Sequence, residues 1–112
     1  MRGVVVKINA AQIFDWQTFH AVFKRELGFP TFYGENMNAW IDCMTYLDDP
    51  NSGMTSLNLR PDELAILEIS NTRSFKEKCP DQYEALIDCT AFVNYRRSES
   101  GGSPILALTL IE

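Results

Sequence analysis

Three short apolar segments, separated by stretches with helical spacing, constrain the fold of this chain most strongly. They cover residues 4–8 (VVVKI), 64–69 (LAILEI) and 105–111 (ILALTLI). Short, nearly continuous apolar runs are typical of strands in a parallel sheet, whose neighbouring strands need long helical crossovers. We therefore predict an α/β fold, with a three-stranded parallel sheet packed by about four helices in the order βααβααβ. The last segment is apolar enough to predict a central place in the sheet.

The first helix is predicted from its periodicity and from the residues at its two ends. Asp15 is a suitable N-cap and Gly28 a suitable C-terminal stop. Between them a stripe of apolar residues recurs at helical spacing: Trp16, Phe19, Phe23 and Leu27. His20 lies next to this stripe, and we expect it to flank the core in contact with solvent.

Three further helices are expected. The second runs over residues 36–46, a short third begins at Asn71 or Thr72 and ends near Cys79, and the fourth runs from Pro80 to about Arg97. Residues 48–60 (DDPNSGMTSLNLR) are rich in turn-forming residues and predict a loop too long for a simple connection. We interpret residues 1–112 as a single domain with this segment as an inserted loop.

Composition excludes several classes of protein and site. No apolar run approaches the roughly 18 residues of a membrane span, and the first residues are too briefly apolar for a signal peptide. We therefore expect a cytoplasmic protein with no membrane partner. The three cysteines, Cys43, Cys79 and Cys89, form no CxxC pair and are accompanied by one histidine. This pattern predicts reduced thiols, with no metal and no cofactor.

The net charge of −5 is concentrated in one part of the chain. Residues 31–70 contain one base, Arg60, and seven acids, whereas residues 71–100 contain five of each. The negative field should therefore be strongest around the second helix. Such a field disfavours nucleic acid as a ligand and favours a basic protein partner. The open alternative is an acidic surface that only confers solubility.

The second helix has one apolar and one polar face. Its core stripe, at positions i, i+3, i+4 and i+7, comprises Met37, Trp40, Ile41 and Met44. The opposite face carries Glu35, Asn38, Asp42 and Thr45. We therefore predict that Trp40 is buried and Asp42 exposed, with Phe32 and Tyr33 in the loop before the helix.

An enzyme would need positioned acid–base or nucleophilic groups, and the sequence offers few. Glu35 and Asp42 are seven residues apart, so their carboxylates would lie about 10 Å apart on one helix face. That distance would suit an inverting glycosidase, but an outward helix face on a short chain offers little cleft. We predict that the protein is not an enzyme.

The same region resembles a known family. Residues 29–36 (FPTFYGEN), followed by Asn38, Ala39, Asp42, Cys43 and Thr45, are similar to the signature of the barstar family. Members of this family are small intracellular inhibitors of bacterial ribonucleases, which implies a barstar-like fold and an immunity or antitoxin role. The similarity is dense over about residues 24–47 and weaker elsewhere.

The resemblance implies a basic bacterial ribonuclease, barnase-like or another toxin, as the partner. Asp42 corresponds to the family's central acidic anchor, which is expected to mimic phosphate. The implied partner-binding residues are Phe32, Tyr33, Gly34, Asn36, Asn38, Asp42, Thr45 and Asn94. Alternatives remain open for three of them: Tyr33 as a core aromatic, Asn36 as an N-cap only, and Thr45 as plain surface.

This chain departs from the family pattern at three positions. It has Asn38 where the family's best-known member has a second aspartate, Phe32 in place of a tyrosine, and Asn94 where the family carries a contacting glutamate. These departures favour a ribonuclease with a less basic site, or a different toxin. The alternative function is a non-inhibitory interaction module that docks a basic regulatory partner.

Overall fold

The computed structural model describes all residues from Met1 to Glu112. Its sheet contains β1 (Arg2–Asn9), β2 (Glu63–Ser70) and β3 (Leu106–Leu110), in the order β1-β2-β3. Both strand pairs are parallel, and Leu67 of β2 lies opposite Val6 on one side and Leu108 on the other. The predicted three-stranded parallel sheet is confirmed.

The predicted central place of the third strand is wrong. β2 is the central strand and β3 lies at an edge. Each helical crossover moves the chain by one position in the same direction, so the middle strand of the sequence becomes the middle strand of the sheet. The apolar residues of β3 instead cover its inward face, where Leu106 is buried against α4.

Four helices accompany the sheet: α1 (Trp16–Leu27), α2 (Met37–Thr45), α3 (Thr72–Lys78) and α4 (Pro80–Glu99). Asp15 caps α1 as predicted, since its carboxylate accepts a hydrogen bond of 2.8 Å from the backbone N–H of Thr18. Gly28 ends the helix in the left-handed conformation, with φ at 68°. Of these four helices, none has the length and apolar character needed to cross a membrane.

One face of the sheet carries the core. Alternate strand residues point into it and are buried, namely Val6, Ile8, Ala65, Leu67, Ile69 and Leu106. Val5 points to the other face and is exposed, so only alternate residues of β1 are buried. Period-2 alternation was hidden in the sequence by three consecutive valines.

Residues 48–60 contain a single 3₁₀ turn, Pro50–Ser52, and pack back onto the helices. The backbone N–H of Ser56 donates to the carbonyl of Gly28 at 2.9 Å, and that of Leu59 donates to Leu47 at 2.8 Å. Leu59 is itself buried. The segment is thereby fastened to the C-terminal ends of α1 and α2.

Candidate functional site

Helix α2 separates a buried face from an exposed one. Trp40 and Met44 are fully buried, and the Trp40 ring meets Phe23 edge to face with centroids 5.7 Å apart. Asn38 and Asp42 lie on the exposed side. This confirms the predicted face assignment. We use the name α2 surface for Phe32, Gly34 to Asn36, and the outward residues Asn38, Asp42 and Thr45.

The loop before α2 is shaped by Asn36. Its side-chain oxygen accepts a hydrogen bond of 2.8 Å from the backbone N–H of Ala39, and its amide donates to the carbonyl of Gly34 at 3.2 Å. Asn36 is therefore the N-cap of α2, as its alternative role predicted. A Cβ atom at Gly34 would stand 3.3 Å from the Asn36 amide nitrogen, so a small residue suits this position.

The two loop aromatics have different surroundings. Phe32 is 73% exposed and stands beside α2 with its ring in solvent. Tyr33 is buried, packs against Phe29 and is hydrogen-bonded through its hydroxyl to Nδ1 of His20 at 2.5 Å. The structure thus corrects the expected side-chain contact of Tyr33 with a partner. Tyr33 is a core aromatic, which is the alternative that the sequence analysis left open, and it positions the loop.

The expected position of the His20 side chain is also wrong. The side chain was expected to touch solvent, but it is buried between Trp16, Phe19 and Tyr33. Burial lowers the pKa of His20, with the Glu35 carboxylate opposing this effect, and burial raises the pKa of Tyr33. The pair is therefore neutral at pH 7 and fastens the loop to α1.

Asp42 has a partner within the chain. Nη1 of Arg96, in the last turns of α4, donates to Oδ1 of Asp42 at 3.0 Å. Both side chains remain accessible, with 36% of Arg96 and 51% of Asp42 exposed. The packing of α4 against α2 brings together two residues that are 54 positions apart.

Arg97 neutralises a second acid of the same region. It binds Asp48 with two parallel hydrogen bonds of 3.0 and 2.8 Å and also donates to the carbonyls of Thr45 and Ser103. Two of the seven acids counted in residues 31–70 are therefore paired with bases from α4. The negative field around α2 is weaker than the segment count predicts.

Asn94 does not face the α2 surface. Its side-chain oxygen accepts hydrogen bonds from the backbone N–H groups of Ile105 and Leu106, and its amide donates to the carbonyl of Leu106. These three bonds, of 2.9 to 3.1 Å, fasten α4 to β3. Asn94 therefore has a structural role in the free chain, and its contact with a partner stays a prediction. Arg96 and Arg97 are the α4 residues whose side chains bind α2 or the residues directly after it.

Thr45 retains part of its expected role. Its hydroxyl donates to the carbonyl of Ile41 at 2.6 Å, so that proton is used within the helix. The hydroxyl oxygen can still accept a hydrogen bond. The α2 surface thus offers mainly acceptors: the amide oxygen of Asn38, the carboxylate of Asp42 and the Thr45 hydroxyl.

The three cysteines are free. Cys43 and Cys79 are buried and Cys89 is half-buried. Burial raises the pKa of the Cys43 thiol to about 11, so it stays protonated near pH 7.

Comparison with known families adds an independent finding. The family model described as Barstar (barnase inhibitor) matches residues 4–107. The matched range runs from β1 into β3 and includes the whole α2 surface together with Arg96.

Proposed function

The chain belongs to the barstar family, and we propose that it is an inhibitor that blocks the basic active site of a ribonuclease with its α2 surface. The family binds barnase-type ribonucleases, so a ribonuclease is the partner class that the match supports. The observation that carries the proposal is the half-exposed Asp42 carboxylate on the outward face of α2.

Asp42 can take the place of a substrate phosphate. Ribonuclease sites bind phosphate through cationic side chains, and a carboxylate accepts short, charge-assisted hydrogen bonds from the same groups. The core residues under α2 hold the helix in place, so little freedom is lost when Asp42 docks. Inhibition is then competitive with RNA and needs no metal or nucleotide.

The remaining α2 surface suits the rim of such a contact. Phe32 offers a rigid apolar ring, and Asn38 and Thr45 offer acceptors on either side of Asp42 along the helix. We propose that the protein acts in the cytoplasm as an immunity protein or antitoxin for its cognate ribonuclease.

The experiment that tests this function starts from the protein's own cell. The tagged protein is used to capture partners from native lysate, and the captured fraction is assayed for ribonuclease activity before and after release of the inhibitor. We expect a ribonuclease that is silent in the complex and active once released. A captured partner with no ribonuclease activity would support the alternative, a non-inhibitory interaction module.

We expect Phe32→Ala to weaken ribonuclease binding by about 1–2 kcal/mol, because a rigid aromatic ring at an interface typically contributes this much. The fold should be unchanged, since the ring is in solvent. Isothermal titration calorimetry measures the loss. Phe14→Ala is a matched control, because Phe14 is 68% exposed but lies before α1, outside the α2 surface. Equal losses for both variants would contradict the proposed contact.

Association should depend on salt, because the acids around α2 attract a basic partner over a distance. Between about 50 and 500 mM salt the Debye length falls from about 14 to about 4 Å, and we expect the association rate to fall about tenfold. The dissociation rate should change much less. Stopped-flow mixing measures both rates, and Glu35→Gln should reduce the slope. A salt-independent association rate would argue against steering.

A further inference from the structure

Arg96 stands out among the basic residues because it lies beside the proposed phosphate mimic. Its guanidinium makes one hydrogen bond, the 3.0 Å bond to Asp42, and more than a third of the side chain is exposed. Arg97 differs, since four hydrogen bonds engage it and only 16% of its side chain is exposed. Exposed ion pairs contribute little to stability. The fold therefore does not depend on Arg96.

A partner that docks on Asp42 must also cover Arg96. An arginine or lysine of the partner that binds Asp42 then competes with Arg96 for the same carboxylate. When the contact is desolvated, a displaced Arg96 becomes a buried cation beside other cations, which is costly unless it finds a new carboxylate.

The surroundings of Arg96 are those of a contact region. Phe92 lies one turn before it on the same side of α4 and is 46% exposed. An exposed aromatic next to an exposed arginine is the combination enriched where proteins bind each other. Arg96 therefore lies next to the α2 surface, in a region suited to protein contact.

We propose that Arg96 is a selectivity residue: it disfavours ribonucleases whose sites are uniformly basic and favours one that places a carboxylate opposite it. In the cognate complex, Arg96 exchanges Asp42 for this carboxylate, and Asp42 binds a cation of the partner. The inference rests on the proposed function and names the charge pattern of the partner.

The first test uses barnase, the ribonuclease that the family description names, as a probe with a basic phosphate-binding site. We expect Arg96→Ala to bind barnase at least tenfold more tightly than the original protein, about 1.4 kcal/mol. Arg73→Ala removes the same charge, but from an exposed ion pair between Arg73 on α3 and Glu112. It should change the affinity less than twofold. Equal effects of the two variants would mean that only the change in net charge alters the affinity, and would overturn the proposal.

The second test maps the partner's carboxylate. Single glutamate substitutions of the lysines and arginines around the barnase active site are each measured against the original protein and Arg96→Ala. At one position we expect the preference to reverse, so that the protein with Arg96 binds more tightly. A panel without any reversal would overturn the proposal.

Failure of this inference can be told apart from failure of the proposed function. If the original protein inhibits barnase and Arg96→Ala inhibits it equally, the inference fails and the inhibitor function stands. If neither protein binds barnase, the inference also fails, because removal of Arg96 does not restore affinity. The proposed function is then decided by the capture assay from native lysate alone.

Discussion

We expect the Asp42→Ala variant to lose about 2–5 kcal/mol of ribonuclease binding, the range typical of buried interfacial charge pairs, those of the barnase–barstar complex included. The partner's cation loses the carboxylate that binds it and remains in the contact as an unpaired charge. Competitive inhibition assays measure the loss as a rise in the inhibition constant.

The fold should survive this substitution, because the Asp42 side chain is exposed and its one ion pair is weak. Glu84→Ala provides a matched control, since Glu84 is an exposed acid on α4 that lies three turns before Arg96. In the cognate complex the double variant Asp42→Ala with Arg96→Ala should bind more weakly than Asp42→Ala alone, because the partner's carboxylate opposite Arg96 then also loses its partner. If Asp42→Ala and Glu84→Ala both had similar, small effects, Asp42 would not be at the centre of the interface.

The second large effect concerns stability. We expect Arg97→Ala to lower the free energy of unfolding by about 2–3 kcal/mol, because charge-assisted hydrogen bonds are strong and their loss leaves acceptors unpaired. The side chain connects the carbonyl of Thr45 at the end of α2, the carboxylate of Asp48 and the carbonyl of Ser103. For a chain of this size the midpoint of thermal unfolding should fall by about 10 °C.

Calorimetry or circular dichroism measures this shift, and Arg73→Ala is again the control. Arg73 also pairs with a carboxylate, but both side chains are 70% exposed, so its loss should cost less than about 1 kcal/mol. An Arg97→Ala protein that unfolds at the temperature of the control would show that the loop after α2 is held by other contacts.

Local signals explain most of what the sequence predicted correctly. Asp15 and Gly28 determine the ends of α1 by hydrogen bonding and backbone conformation within a few residues. The 100° spacing of α2 separated buried Trp40 from exposed Asp42. Each of these features depends on neighbours within one or two helical turns, so the sequence carries the necessary information.

The contacts that the sequence did not predict join residues from different elements of the fold. The Tyr33 hydroxyl is bound by His20, and Asn94 is bound by the backbone of the edge strand. The pairing of Asp42 with Arg96 likewise needs two helices to pack together. Side-chain chemistry alone could suggest that such groups need partners, but only the tertiary structure decides which partners they find.

Divergence of partner choice requires no change in the core of this protein. Helix α2 places Asn38 and Asp42 outward and Trp40 and Met44 inward, so the residues that determine the surface are separate from those that determine the packing. Outward residues such as Asn38 can therefore be exchanged while the inward set preserves the fold. For the proposed inhibitor, this means that its choice of ribonuclease can change by single substitutions, each in a folded protein.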